Sequence, residues 1–113
     1  MYFVNMWIRS CAVRTYWLLS SEGYFRATSR LLGKRRVQIN AIGPGDILFD
    51  DSVWAKKLKE DSAAVAEMLE RDVALGKLGS SSDIANLTAY LLSPISNFAT
   101  GAVWTLDGGQ VHA

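Results

Sequence analysis

The most regular pattern along the chain begins at residue 37. Val37, Ile39 and Ala41-Ile42 are interleaved with Gln38 and Asn40, and the run closes on Gly43-Pro44-Gly45. β-Branched residues alternating with polar ones and ending in Gly and Pro predict a strand that runs into a loop. Residues 46–51 continue as loop. After Ser52, Trp54 and Leu58 fall four apart, as on one face of a helix. A second helix is predicted from Ser62, with Val65, Met68, Leu69 and Val73 on one stripe and Glu67, Glu70 and Arg71 off it. Gly76 and Gly79 punctuate that pattern. Ser80 followed three residues later by Asp83 predicts a capping box with the shorter acid, which also suits the positive end of a helix. Ile84, Leu87, Thr88 and Leu91 form the stripe of this third helix, and Pro94 stops it. Ala102 to Leu106 then reads as a strand between Gly101 and Asp107-Gly108-Gly109. Strand, helices, helix, strand is the order of an α/β layer arrangement with parallel strands.

Residues 1–36 carry a weaker pattern. Met1 to Ile8 reads as an apolar strand, but residues 11–32 show no clean 3.6-residue period, and Gly23 and Gly33 interrupt them. This segment is expected to be irregular.

Composition narrows the class. The chain has 113 residues, of which 50% are hydrophobic and 20% charged, so it folds as one domain at most and is not disordered. A single cysteine, Cys11, excludes an internal disulfide framework and a cysteine-cluster zinc site. No run approaches the roughly 18 apolar residues of a membrane span, and the opening residues lack the basic region and cleavage site of a secretion signal. A cytoplasmic protein without membrane partners is expected. The net charge of +1 conceals an asymmetry: residues 1–36 hold seven basic side chains against Glu22, and residues 37–113 hold five against ten acids. A nucleic-acid-binding arm is one reading of the basic part. The Trp-, Tyr- and Leu-rich setting favours a solvated basic face instead, and no nucleic-acid partner is expected.

Candidate chemistry is sparse. His112, the only histidine, stands next to the last residue, where chain ends fray. Asp50-Asp51 and Glu60-Asp61 read as cap acids beside helix starts. Walker and Gly-x-Gly-x-x-Gly motifs are absent. The junction Asn40 to Ile47 remains: ligands of open α/β sheets bind beyond the carboxyl ends of the strands, and Gly43-Pro44-Gly45 leaves the backbone open to a flat ring.

From this junction onward the chain resembles the C-terminal third of the short-chain dehydrogenase/reductase family, in particular its 3-oxoacyl carrier-protein reductase-like members. The likeness is an ordered set: Val37 to Gly45, Leu75 to Ala85, and Thr100 to Gly109 with its closing Asp-Gly-Gly. The implied fold for residues 37–113 is the C-terminal portion of a Rossmann-like doubly wound parallel sheet, comprising the last two strands and flanking helices. The implied activity is hydride transfer between the nicotinamide of NAD or NADP and a small-molecule carbonyl or alcohol. By this resemblance Pro44 and Gly45 pack near the nicotinamide ring and the Ile47 amide holds its carboxamide. The family often has a Thr two residues further on for the cofactor phosphates, where this chain has Phe49. Trp54 and Leu58 are either lid residues over the substrate or core packing.

The resemblance fails at the catalytic residues. The reaction uses a tyrosine as acid/base with a lysine four residues later, whose charge lowers the tyrosine pKa. Here Tyr2, Tyr16, Tyr24 and Tyr90 are followed at that spacing by Met6, Ser20, Thr28 and Pro94. Counting back from Asn40 by the family's separation reaches Arg14 and Leu18. Trp7 and Ile8 stand where the family's serine is expected, and Ser10 is nearby without a tyrosine to meet. No catalytic residue is assigned. Residues 9–34 have the texture of a frame-shifted or rearranged coding stretch, so a truncated, inactive chain is expected. The alternative is a non-catalytic module that self-associates, giving a homo-oligomer, or docks on a full-length relative through a strand edge.

Overall fold

The computed structural model describes residues 2–7 and 14–110, with side chains from Gly23 to Gln110. Strand β1 (Tyr2–Trp7) is followed by helix α1 (Arg14–Gly33), strand β2 (Val37–Pro44) and the two-residue strand β3 (Ile47–Leu48). Helices α2 (Val53–Glu60) and α3 (Ser62–Asp72) come next, then the short strand β4 (Gly79–Ser80), helix α4 (Ser81–Leu92), a 3-10 turn at Pro94–Ser96, and strand β5 (Val103–Leu106). The main sheet has the order β1-β2-β5, all parallel, and β3 pairs with β4 in a second, parallel pair.

β2 is the central strand, paired from Tyr2↔Val37 to Trp7↔Ile42 on one side and from Ala41↔Val103 to Pro44↔Leu106 on the other. Both of its faces are covered, as parallel strands require. Ile39 and Ala41 pack with Phe25 of α1, joined by Leu32 and Val103. Gln38 and Asn40 point the opposite way and are also buried. Gln38 Nε2 donates to the carbonyls of Ser96 (2.7 Å) and Ala99 (2.8 Å). Asn40 Nδ2 donates to the Ala99 carbonyl at 2.8 Å, and Asn40 Oδ1 accepts from the Trp104 indole at 3.2 Å. Polar residues are tolerated here because Asn40 is satisfied at both ends and Gln38 through its nitrogen, with only Gln38 Oε1 left without a partner among the described residues.

α1 corrects the expectation of an irregular N-terminal segment. The helix runs through Gly23, where a Cβ would meet nothing within 4 Å, and ends at Gly33. Its period is hard to see because, of the residues with described side chains, only Phe25 is fully buried, while Tyr24 and Leu31 are exposed. Arg26, Arg30, Lys34, Arg35 and Arg36 are solvated. The short β3 also falls in a stretch expected to be loop.

The remaining elements follow the sequence pattern. Ser52 caps α2, its Oγ accepting from the Ala55 N–H at 3.1 Å, and Asp61 caps α3 through Ala64 at 2.9 Å. The capping box at Ser80 and Asp83 is complete: the Ser80 N–H donates to Asp83 Oδ2 (2.8 Å) and the Asp83 N–H to Ser80 Oγ (3.2 Å). The Ser80 N–H and the Ser80 hydroxyl, both donating to Asp83 Oδ2, hold the Asp83 carboxyl below its ordinary value, with Lys77 adding a smaller pull. No helix among the described residues is long and apolar enough to cross a membrane.

Candidate functional site

The site is built where β2 and β5 end. Pro44 closes β2 opposite Leu106, and the Gly45 N–H donates to the Leu106 carbonyl at 3.0 Å, which carries the pairing one residue into the loop. Gly45 is required there by space: a Cβ would lie 2.6 Å from Asp107 Cβ and 2.7 Å from its Cα. The loop and the turn after β5 are therefore in backbone contact.

The turn itself is shaped by Gly108 and Gly109, at φ of +64° and +75°. Their carbonyls accept from Leu75 (3.0 Å) and Ala74 (3.3 Å), which ties the turn to the end of α3. Asp46 is held twice. Its carbonyl accepts the Gly79 N–H of β4 at 2.9 Å, and its Oδ2 accepts Gln110 Nε2 at 2.6 Å.

The first of these bonds sets the direction of the Ile47 amide. The chain has no cis peptide bonds among its described residues. In a planar trans peptide the N–H lies opposite the preceding carbonyl. With the Asp46 carbonyl on β4, the Ile47 N–H points away from β4. A Cβ at Gly79 would meet the end of the Ile47 side chain, Cδ1, at 2.5 Å, so the glycine leaves room for that side chain in its present position.

Pro44 and Gly45 are buried and Ile47 is half-buried, so the three residues singled out from the sequence are brought together on one loop. A cleft of about 120 Å³ beside it is lined by Asp46, Ile47, Leu78, Lys77, Leu106 and Asp107 among others. Sites for whole organic ligands are typically about 300–1,000 Å³. The cleft is therefore smaller than an enclosure for a whole dinucleotide. A glycine-bearing loop with an outward backbone donor fits the nicotinamide end of such a cofactor. Phe49, 47% exposed, stands where a hydroxyl for the phosphates is expected and supplies none.

The other candidates separate from this loop. Trp54 and Leu58 lie half-buried on α2, which packs beside β3 and has no fully buried residue, and Lys57 Nζ sits 4.4 Å from the Trp54 ring centroid. Arg14 and Leu18 open α1 one turn apart, the spacing an acid/base pair on one helix face needs, with the wrong residue types. Ile8, Ser10, Cys11 and His112 lie outside the described residues. No group of three or more potential metal ligands is found among the described residues. Asp46, Asp107 and Gln110 were not visible as site residues in the sequence. Their only signal is that they flank the Pro-Gly and Gly-Gly turns, which meet through the pairing of β2 with β5.

Known proteins resemble this chain in sequence and fold. A family model described as "Enoyl-(Acyl carrier protein) reductase" matches residues 19–111, and so begins inside α1. The chain is 35% identical over 89 residues to the 3-oxoacyl-[acyl-carrier-protein] reductase FabG of Pseudomonas aeruginosa, covering 79% of this chain and 34% of that protein. It is 40% identical over 77 residues to a probable 2,4-dienoyl-CoA reductase of Bacillus subtilis, covering 68% of this chain and 29% of that one. Among solved structures, a putative 2-deoxy-D-gluconate 3-dehydrogenase from Agrobacterium tumefaciens with bound NADP superposes with a TM-score of 0.64. Their identity is 28%, and the match covers 80% of this chain and 35% of that one. The chain spans about a third of the length of the relatives it matches.

Proposed function

The chain belongs to the short-chain dehydrogenase/reductase family, and on that footing we propose that it is the nicotinamide-side portion of an NAD(P)-dependent oxidoreductase acting on a small carbonyl or alcohol. When bound, the cofactor supplies or accepts the hydride. The chain's own part is to receive the ring against Pro44 and Gly45 and to offer the Ile47 N–H to the carboxamide oxygen. The observation that carries this reading is the direction of that N–H, fixed by the Asp46–Gly79 bond at 2.9 Å on a loop where Gly45 leaves no side chain.

The 113 residues by themselves do not complete the reaction. None of the four tyrosines has a lysine four residues later, and Arg14 and Leu18 cannot move a proton to or from an alkoxide at neutral pH. Loss of a positioned acid/base forfeits about 10²- to 10⁴-fold in rate. The pyrophosphate is usually received by a helix N-terminus behind a glycine-rich turn, and the sequence contains no such turn. The test is to mix the purified chain with NADPH and acetoacetyl thioesters. No change at 340 nm is expected, and calorimetry is expected to give NADPH affinity weaker than micromolar. Turnover, or micromolar affinity, overturns this account.

A second reading is favoured by the surface after α4. Ile95 is 82% exposed and Phe98 fully exposed, and β5 stands at one edge of the three-stranded sheet. Such a surface suits self-association or docking on a full-length relative. Light scattering of the chain, alone and with that relative, distinguishes an associating module from a monomer.

A further inference from the structure

We propose that Gln110 is a positioning residue for the loop that carries Ile47: its side-chain amide clasps the Asp46 carboxylate and so steadies the Ile47 N–H in the direction that the Asp46–Gly79 bond sets. The inference rests on the nicotinamide-side reading given above.

The Gly79 bond and the β3–β4 pairing hold the Asp46–Ile47 peptide from the β4 side only. The clasp supplies a further anchor, at 2.6 Å and 64 residues away in sequence. A short hydrogen bond to a carboxylate is among the stronger side-chain contacts.

Gln110 is itself well held. Its N–H donates to the Asp107 carbonyl at 3.2 Å, and it forms an antiparallel bridge with Val73, itself buried. The anchor therefore rests on the end of α3. Its amide can face only one way. Oε1 is buried without a hydrogen-bond partner among the described residues, and lies 3.0 Å from where a Cβ on residue 45 would stand. Turned over, the amide would set Oε1 against the carboxylate, acceptor against acceptor. The unpartnered oxygen is thus the consequence of turning the amide nitrogen towards Asp46, and it packs the side chain onto Gly45. In this way Gln110 touches both parts of the loop, the glycine and the acid preceding Ile47.

The test uses the ¹⁵N-labelled full chain and two independent readouts. The first is amide hydrogen exchange at Gly79, whose N–H enters Asp46, with the Ala41 amide of β2 as the reference for intact folding. Gln110→Ala is expected to speed Gly79 exchange by about tenfold and leave Ala41 unchanged. Asp46→Ala should do the same, and Asp46→Ala with Gln110→Ala should add nothing further. Asp46→Asn, which keeps an acceptor oxygen, should stay within about threefold of the parent. Unchanged Gly79 exchange in Gln110→Ala, or fully additive effects in the double variant, overturns the clasp.

The second readout is titration with reduced nicotinamide mononucleotide, followed at the Ile47 amide. Gln110→Ala should weaken the response about tenfold, with Asp46→Asn near the parent. Equal affinity in parent and Gln110→Ala overturns the positioning role even if exchange changes. An Ile47 amide that does not move in the parent removes the nicotinamide reading, and the clasp then stands or falls on the exchange rates.

Discussion

The indole N–H of Trp104 donates to Asn40 Oδ1 at 3.2 Å, joining the side chains of neighbouring parallel strands. The same oxygen lies 3.4 Å from the Ala102 N–H, and Asn40 Nδ2 is spent on Ala99. One buried amide thus serves β2, β5 and the segment between α4 and β5, and it holds in register the two strands whose ends form the site. Replacing it with leucine takes the shared acceptor from the Trp104 indole N–H and the Ala102 N–H, at about 1–3 kcal/mol for each donor left buried and unpaired, while the Ala99 carbonyl keeps Gln38 Nε2 at 2.8 Å. Asn40→Leu is expected to lower the urea midpoint by a corresponding amount without changing the slope.

Phe25 tests whether α1 is part of the fold. It is fully buried against Ile39 and Ala41, and Phe→Ala changes in cores cost about 3–5 kcal/mol. Whole domains have only about 5–15 kcal/mol, so Phe25→Ala should unfold much of the population at 37 °C by circular dichroism. Phe98→Ser, at a fully exposed position, should change stability by less than about 0.5 kcal/mol.

Gly45→Ala should strike the loop rather than the core. The added methyl meets Asp107 at 2.6–2.7 Å, including its backbone, so one of the two turns must move. A destabilisation of about 1–3 kcal/mol is expected, with the Ile47 and Gly108 amide shifts displaced and those of β1 unchanged.

Acid should release the start of α4. The Ser80 N–H and hydroxyl bonds depress the Asp83 pKa from its ordinary 3.8. A depressed folded value contributes stability that is present above the unfolded pKa and lost as pH falls through the folded one. Asp83→Asn should therefore melt below the parent at pH 7, and the two melting temperatures should converge as pH drops below 3.8. A gap that persists at pH 2 would assign the effect to packing instead.

The elements legible in the sequence are those whose signal is local. Ser52, Ser80 and Pro94 mark helix boundaries through their own hydroxyl or ring, and Val65, Val73 and Leu91 repeat with the helical period. α1 was hidden because its inward stripe, Phe25, Thr28, Ser29 and Leu32, has two hydroxyl residues between its apolar ends, while Leu31 is 71% exposed. β3 was hidden because two residues cannot show a period; its existence depends on Gly79 arriving from 32 residues away. Pro44, Gly45 and Ile47 are legible as a loop beyond a strand. Asp46 and Gln110 are not, because what relates them is the register of β2 against β5 and the two left-handed glycines that turn the chain back.

The all-parallel order β1-β2-β5 has a kinetic consequence. No neighbouring pair in this sheet can start as a hairpin, and Ala41 must wait for Val103, roughly sixty residues later, before its second ladder exists. Such long closures slow folding and leave an unsatisfied strand open to other chains while they are awaited. During synthesis β2 is thus exposed along the edge that β5 will occupy, so its yield at high expression should depend on how quickly Thr100 to Leu106 arrive to cover it.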